Sequence, residues 1–457
     1  MSKTGSKYTI DMLNGPMWKK ALIFSLPLAA TSILQQLFNS ADVAVVGRFA
    51  GSDALAAVGA NVANVGVFVN FLVGFSVGPN VLFANHIGRG RESECPKTVG
   101  TTISLSLFLG LLCMLIGELL ARPVLTFLQT PANVLDEAVL YLQIYLLGMP
   151  FMAIYNCAAA LLRSVGDTKR PLFCLLISGF VNVALNLLFV IKFNKGVAGV
   201  SIATVISNVI SCIIVLVILL REKGNLHLDL KKLRPDIHYA KRIIQLGVPA
   251  GVQNMVFSIS NMFIQSGINS FGSNAIAGSS AALNFEYYTY YMVAAFGQAT
   301  VTFTSQNYGA GKIDRVKRIF WITLWESMAC TAILCAIFFI LRDKVILVYT
   351  TDPAVIEFAL KRMMCVASLE FLTGLYDVSC GSLRGLGKAL TPSVLTILGT
   401  VGFRILWLYT IFKYFATFES LMIVYPVSWI VTAVMTITAY RITIRKIEHK
   451  WSVPKSV

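Results

Sequence analysis

A chain of 457 residues with 56% hydrophobic and only 13% charged side chains is too apolar for a soluble globular protein, which carries about a quarter charged residues. Its mean hydropathy of +0.72 comes from apolar runs that recur from end to end, each long enough to cross a hydrocarbon core of about 30 Å. The formal charge of +16 raises nucleic acid or a membrane surface as partners, so the placement of the basic residues decides what it means.

Taken in chain order and bounded by Gly, Pro and charge, the runs predict twelve helical spans. They lie near 21–47, 54–85, 98–121, 134–162, 171–191, 197–220, 243–269, 275–308, 319–341, 355–383, 392–415 and 418–440. The period-two alternation of barrel strands is missing from the sequence. A polar N-terminus up to Trp18, followed by a run that spans rather than ends at a small-residue site, gives no cleavable signal. The nine cysteines lack CxxC spacing and read as small core residues, with no disulfide framework or metal site. Most of the 38 Lys and Arg residues fall in the N-terminus, the loops 86–97, 163–170, 221–242, 309–318 and 384–391, and the C-terminus. The positive-inside rule places these segments and both termini in the cytoplasm, in a multi-pass protein of the plasma (inner) membrane. The charge is then a topology signal, and no nucleic-acid partner is implied.

The chain also repeats itself. "GSDALA" at 51–56 recurs as "GSNAIA" at 272–277, "GRG" at 88–90 as "GAG" at 309–311, and "LRSVGDTKRP" at 162–171 as "LRGLGKALTP" at 383–392, all at an offset of 221. Pro27 and Pro249 extend the match across a one-residue gap. Six spans per half bring both halves into the membrane in the same direction, as parallel repeats with substrate handled at their interface. The predicted fold is therefore an all-α membrane protein of twelve transmembrane helices in two six-helix lobes, related by a pseudo-two-fold axis along the membrane normal. The lobes are 1–220 and 243–457, joined by a cytoplasmic linker, 221–242.

Within the first span, "LFNSADVAVVGR" contains the one ionisable side chain of residues 21–47, Asp42. A carboxylate at such a position costs roughly 2.5–3.5 kcal/mol on insertion scales and is functional by default. Its counterpart in the second half is Phe263 or Ile264, so the acid breaks the internal symmetry. Counted from the span ends at a helical rise of 1.5 Å per residue, Asp42, Asn186 and Thr204 all lie roughly 7–11 Å below the outer hydrocarbon surface. Asn39 and Asn182 sit one turn deeper on the same faces as Asp42 and Asn186. The counterparts of Asn182, Asn186 and Thr204 are Phe403, Trp407 and Tyr425. The competing role for the amides and the hydroxyl is interhelical hydrogen bonding, worth about 0.6 kcal/mol apiece.

The second half has its own asymmetric charges: Glu286, Asp377 and Arg404, opposite Val65, Asn156 and Val183. Pairing of Arg404 with Asp377 or Glu286 is the structural expectation, because unpaired charges at that depth are unfavourable. In "NFEYYTYYM" at 284–292 Tyr287 and Tyr291 share one helical face; with Gln35 of the first span they are the candidate lining of a substrate cavity. For any single Tyr, core or interface packing is the competing role.

The duplicated halves, "FNSADVAVVGR" in the first helix, "FTSQNYGAGK" after the eighth and "GSLRGLG" after the tenth resemble the multidrug and toxin extrusion (MATE) family over almost the whole chain. The resemblance implies a secondary antiporter that exports organic, cationic amphipathic drugs or toxins in exchange for H+ or Na+, by two lobes rocking between inward-open and outward-open states. Asp42 matches the family's first-helix carboxylate, Asn182 its fifth-helix Asn and Thr204 its sixth-helix Thr. Asn186 departs, because many relatives carry Asp there, and the lost negative charge favours a proton over sodium. A hard cation wants several oxygens and anionic charge, although Asp42 with the amide and hydroxyl oxygens could still coordinate Na+. The seventh span, "GVPAGVQNMVFSISNMF", lacks the acid that some MATE branches use there.

No enzyme is indicated. "LRGLGKALT" lacks the GxxxxGK[ST] spacing of a P-loop, and the four His residues lie in predicted loops without HExxH. The nearest alternative is a lipid-linked oligosaccharide flippase of the same superfamily, which would keep several basic residues in its cavity. The expectation is thus a monomer in membrane lipid with small-molecule substrates, no cofactor, and H+ or Na+ as coupling ion.

Overall fold

The computed structural model describes residues 9–230 and 233–452, and those residues form helices and connecting turns with no strand among them. Twelve helical passes follow in chain order. In the first half α1 is Met17–Phe49, and α2 covers 52–88 as Ser52–Phe75 followed by Val77–Gly88. Next come α3, Cys95–Phe127, and α4, in which Ala132–Leu146 and Met149–Ser164 meet at a bend of 44° beside Gly148 and Pro150. α5 runs Lys169–Leu187 and ends in a π turn, Leu188–Lys192, before α6, Gly196–Arg221. In the second half α7 is Ile237–Asn269, α8 Ser273–Gly309 and α9 Ile313–Val345. α10 covers 353–385 and is interrupted by a 3-10 stretch, Ala367–Leu372. α11 covers 390–414 around a π stretch, Ile397–Gly402, and α12 is Phe418–Ser452. These are the twelve spans predicted from hydropathy.

Among the described residues nine passes, or ten with the bent α4, are long and apolar enough to cross a membrane on their own composition. α8 and α10 are not, because they carry the charged and hydroxyl residues of the second half. Some of their polar groups bond to neighbouring helices, as where Thr300 of α8 donates to Thr323 of α9 at 2.9 Å. Elsewhere the apolar side chains divide between core and exterior. Leu72, Leu125, Leu146 and Met149 close one core and Ile264, Leu421 and Val424 another, whereas Phe108, Leu115 and Leu119 of α3 are exposed. An apolar exterior is what lipid as solvent demands, and the protein is an integral multi-pass membrane protein.

The duplication is written into the turns. Gly51 and Gly272 precede α2 and α8 at φ 92° and 86°, and Gly166 and Gly387 follow α4 and α10 at 91° and 80°. These left-handed values favour glycine, so each repeated motif keeps its glycine for the same backbone reason.

The helices form two compact units. Among the described residues, one contains Thr9, Ile10 and Ala30–Gly251; the other contains Asp11–Ala29 and those from Val252 on. Relative to the predicted lobes, the opening turns of α1 therefore belong with the C-terminal unit. The described residues of the linker and the opening turns of α7 belong with the N-terminal one. The exchange points fall just beyond Pro27 and Pro249. Inside the N-terminal unit the start of α7 crosses α2 on glycine: a Cβ on Gly74 would lie 2.5 Å from the Ala250 carbonyl, and one on Gly78 2.5 Å from that of Ile243. Small residues let membrane helices approach this closely. Inside the C-terminal unit Phe24 of α1 meets Phe303 of α8 edge-on at 5.7 Å.

Candidate functional site

Four of the polar residues singled out by depth come together in the N-terminal unit. Asn186 of α5 donates through Nδ2 to Asp42 Oδ1 of α1 and, at 3.3 Å, to Asn182 Oδ1 one turn below. Asn182 Nδ2 in turn reaches Thr204 Oγ1 of α6 at 3.4 Å, and Thr204 donates to the Val200 carbonyl at 3.0 Å. The result is a row of hydrogen bonds across α1, α5 and α6 with a carboxylate at one end. Asn186 is fully buried and its Oδ1 has no partner among the described residues. Tyr141 and Tyr145 of α4, with ring centroids 6.0 Å apart, lie within electrostatic reach of Asp42. Among the described residues Asp42 has no ion-pair partner. Asn39, one turn below it, is exposed and lies outside the row.

Local structure explains the placement. Gly179 of α5 has no room for a side chain because the ring of Phe38 from α1 occupies that space, and Phe38 also meets Phe180 edge-on at 6.0 Å. The contact seats α1 on α5 one turn before Asp42. The π turn Leu188–Lys192 begins two residues after Asn186; such turns are frequent at functional sites.

The charged residues of the C-terminal unit are arranged differently from the expectation. Glu286 is held by Arg362 of α10 through two hydrogen bonds, Nε to Oε1 at 2.6 Å and NH2 to Oε2 at 2.8 Å, with both side chains buried. Arg404 pairs with neither Glu286 nor Asp377, which corrects that prediction. Its guanidinium lies 4.3 Å from the Tyr425 ring centroid and donates to Ser428 Oγ and Asn261 Oδ1, each at 3.2 Å. The desolvated cation is therefore compensated by a π face and neutral acceptors. Asp377 packs directly on Gly297 of α8, and Arg384 is its main charged neighbour. Tyr287 and Tyr291 stack at 6.1 Å and 13°, with Tyr287 exposed, as a shared helical face requires. Gln35, on α1 in the N-terminal unit, is exposed.

A family model described as MatE matches residues 27–188 and again residues 249–410, once in each half. The chain belongs to the MATE family. It is 27% identical over 396 residues to the probable multidrug resistance protein YoeA of Bacillus subtilis, covering 85% of this chain and 86% of that one. The probable multidrug resistance protein NorM of Thermotoga maritima is 26% identical, with 88% and 87% covered. Among solved structures, the outward-facing conformation of a multidrug resistance MATE family transporter of the MOP superfamily superposes with a TM-score of 0.90 at 19% identity, covering 98% of this chain and all of that one. The predicted fold of two six-helix MATE lobes is thus the fold of this chain, and membrane transport is the family's business.

Two buried charges of this MATE chain escaped the sequence reading. Arg362 stands beside Lys361 inside the predicted tenth span, 355–383. Glu370 lies in the 3-10 stretch of α10, where it accepts a hydrogen bond from Thr289 Oγ1 at 2.8 Å. A charge inside a predicted span was the available signal, and it marked both residues as clearly as it marked Glu286.

Proposed function

We propose that this MATE chain is a secondary active exporter of organic, cationic amphipathic compounds, driven by exchange for protons, with Asp42 as the coupling group. The observation that carries the reading is the Asp42–Asn186–Asn182–Thr204 row: a membrane-embedded carboxylate with amide and hydroxyl partners and no neutralising cation. The names of the two bacterial relatives, both probable multidrug resistance proteins, support the substrate class.

The chemistry follows from the donor inventory of the row. An ionised Asp42 accepts from the Asn186 amide NH2. A protonated Asp42 must donate, and the unpartnered Asn186 Oδ1 becomes its acceptor once the amide turns over. One asparagine thus serves both protonation states, at the cost of repacking α1 against α5. Coupling requires only that proton and substrate favour different states of the two lobes by a few kcal/mol. Asp at position 186 would add a second anionic oxygen suited to sodium. The neutral amide favours the proton, although Asp42, Asn182 Oδ1 and Thr204 Oγ1 remain oxygens that Na+ could use. The flippase alternative wants free basic residues in a cavity; Arg404 and Arg362 are both engaged, which argues against it. The proposal includes a plasma-membrane monomer with both termini in the cytoplasm.

The deciding experiment is efflux of a fluorescent organic cation from proteoliposomes under an imposed pH gradient and, separately, a sodium gradient. Wild type should respond to the pH gradient, and Asp42→Asn, which fixes the neutral form, should fold normally and lose that response. Undiminished pH-driven efflux by Asp42→Asn would falsify the assignment. Sodium-driven efflux that survives in this variant would move sodium coupling to another site.

A further inference from the structure

We propose that the groove between the start of α9 and the end of α12 binds the headgroup of an anionic phospholipid. It is independent of how transport is coupled and depends only on the chain lying in a bilayer.

The groove has a volume of about 250 Å³ and lies wholly within the C-terminal unit. Its floor is aromatic: Phe320 and Tyr440 are buried and stack at 4.2 Å and 19°. Trp321 forms an exposed wall, with its ring 5.1 Å from that of Phe320. Arg441 and Arg445, one helical turn apart on α12, line it as exposed cations with no ion pair or hydrogen bond among the described residues. Lys317, the third cation, is already held by Glu448 and Asp314. The Tyr440 hydroxyl is the second, independent sign of a ligand. Tyr440 is 5% exposed, yet its Oη is buried with no hydrogen-bond partner among the described residues.

These features fit one chemistry. Two unpaired guanidiniums one turn apart match a phosphodiester, which they can hold by forked, charge-assisted hydrogen bonds. The Tyr440 hydroxyl supplies a further donor. The aromatic floor and the Trp321 wall suit the glycerol backbone and the first acyl methylenes, which a free phosphate lacks. The position also fits, because Trp with clustered Lys and Arg at span ends marks the membrane–water interface, and basic grooves between helices there select anionic headgroups. A zwitterionic headgroup would bring its own cation against Arg441 and Arg445.

The test uses the purified full-length chain in neutral detergent, with bound lipid counted by native mass spectrometry and unfolding followed by heat. The additives are dioleoyl-phosphatidylglycerol, dioleoyl-phosphatidylcholine and inorganic phosphate. Phosphatidylglycerol should bind about tenfold more tightly than phosphatidylcholine and raise the unfolding temperature, while inorganic phosphate should do neither. Combined Arg441→Gln and Arg445→Gln should remove that preference and leave phosphatidylcholine binding unchanged. Glu448→Gln, which lifts a competing carboxylate, should strengthen phosphatidylglycerol binding a few-fold. Equal binding of the two lipids, an intact preference in the double variant, or equal competition by inorganic phosphate would each overturn the proposal. Should the double variant not fold, Tyr440→Phe removes the hydroxyl alone, and undiminished phosphatidylglycerol binding there would count equally against it.

Discussion

Glu286 and Arg362 neutralise each other through two parallel hydrogen bonds in a region from which water is excluded, so neither tolerates loss of its partner. Removing one member of such a pair costs about 3–5 kcal/mol, because the other charge is left buried and uncompensated. Arg362→Met alone should therefore lower the unfolding temperature sharply, and adding Glu286→Gln should recover much of the loss. Arg404→Ala combined with Glu286→Gln should recover much less, since Arg404 donates to Ser428 and Asn261 and meets the pair only through the charge field and the Tyr425 ring it shares with Arg362. Additive losses for the first pair, or strong coupling in the second, would reverse this assignment of partners. The contrast shows what a sequence reveals about a site. Asp42, Asn186, Asn182 and Thr204 could be grouped because span boundaries fix depth, and equal depth is a necessary condition for contact. Which acid meets which arginine depends on helix rotation and on contacts between residues 76 positions apart, and hydropathy contains neither.

At the scale of helices, the junction of α1 with α5 is held by a fit between one glycine and one ring. The Phe38 ring fills the space where a side chain on residue 179 would go, four residues before Asp42. Gly179→Ala must push Phe38 aside, and overpacking of this kind costs about 1–3 kcal/mol. The displaced α1 would carry Asp42 away from Asn186, so pH-driven efflux should fall with the thermal stability. Phe38→Ala in the same chain should restore space and part of both. Wild-type efflux and stability in Gly179→Ala would mean that the contact does not set the position of Asp42. The spans themselves were legible because lipid demands long apolar helices. Their irregularities were not: the 3-10 stretch of α10 and the π turns of α5 and α11 come from packing against neighbours, with no consistent local signal. Nor does hydropathy reveal that the opening turns of α1 and α7 join the unit opposite in sequence, since an apolar helix reads the same whichever neighbour it meets.

For the whole molecule, the testable quantity is orientation. The twelve passes alternate in direction, so a single assignment fixes every loop. Glu92 and Gly224 lie in connections rich in Lys and Arg, while Asn133, in the first turn of α4, and Thr351, in the connection before α10, lie at the opposite ends of the helices; all four are exposed. Cysteines introduced one at a time at these positions, in a chain freed of its nine native cysteines, leave the basic residues untouched. A membrane-impermeant maleimide added to intact cells should label Asn133→Cys and Thr351→Cys. It should reach Glu92→Cys and Gly224→Cys only after the cells are opened. The bias is energetic: basic loops resist translocation against the membrane potential and are retained by the anionic cytoplasmic leaflet. Both halves contain six passes and begin on the same side, so the bias of each half reinforces the other's. External labelling at Glu92 or Gly224 would invert the molecule and place the Asp42 row near the cytoplasmic face. An inward proton gradient would then meet Asp42 from the wrong side, and proton-driven export would fail with the topology.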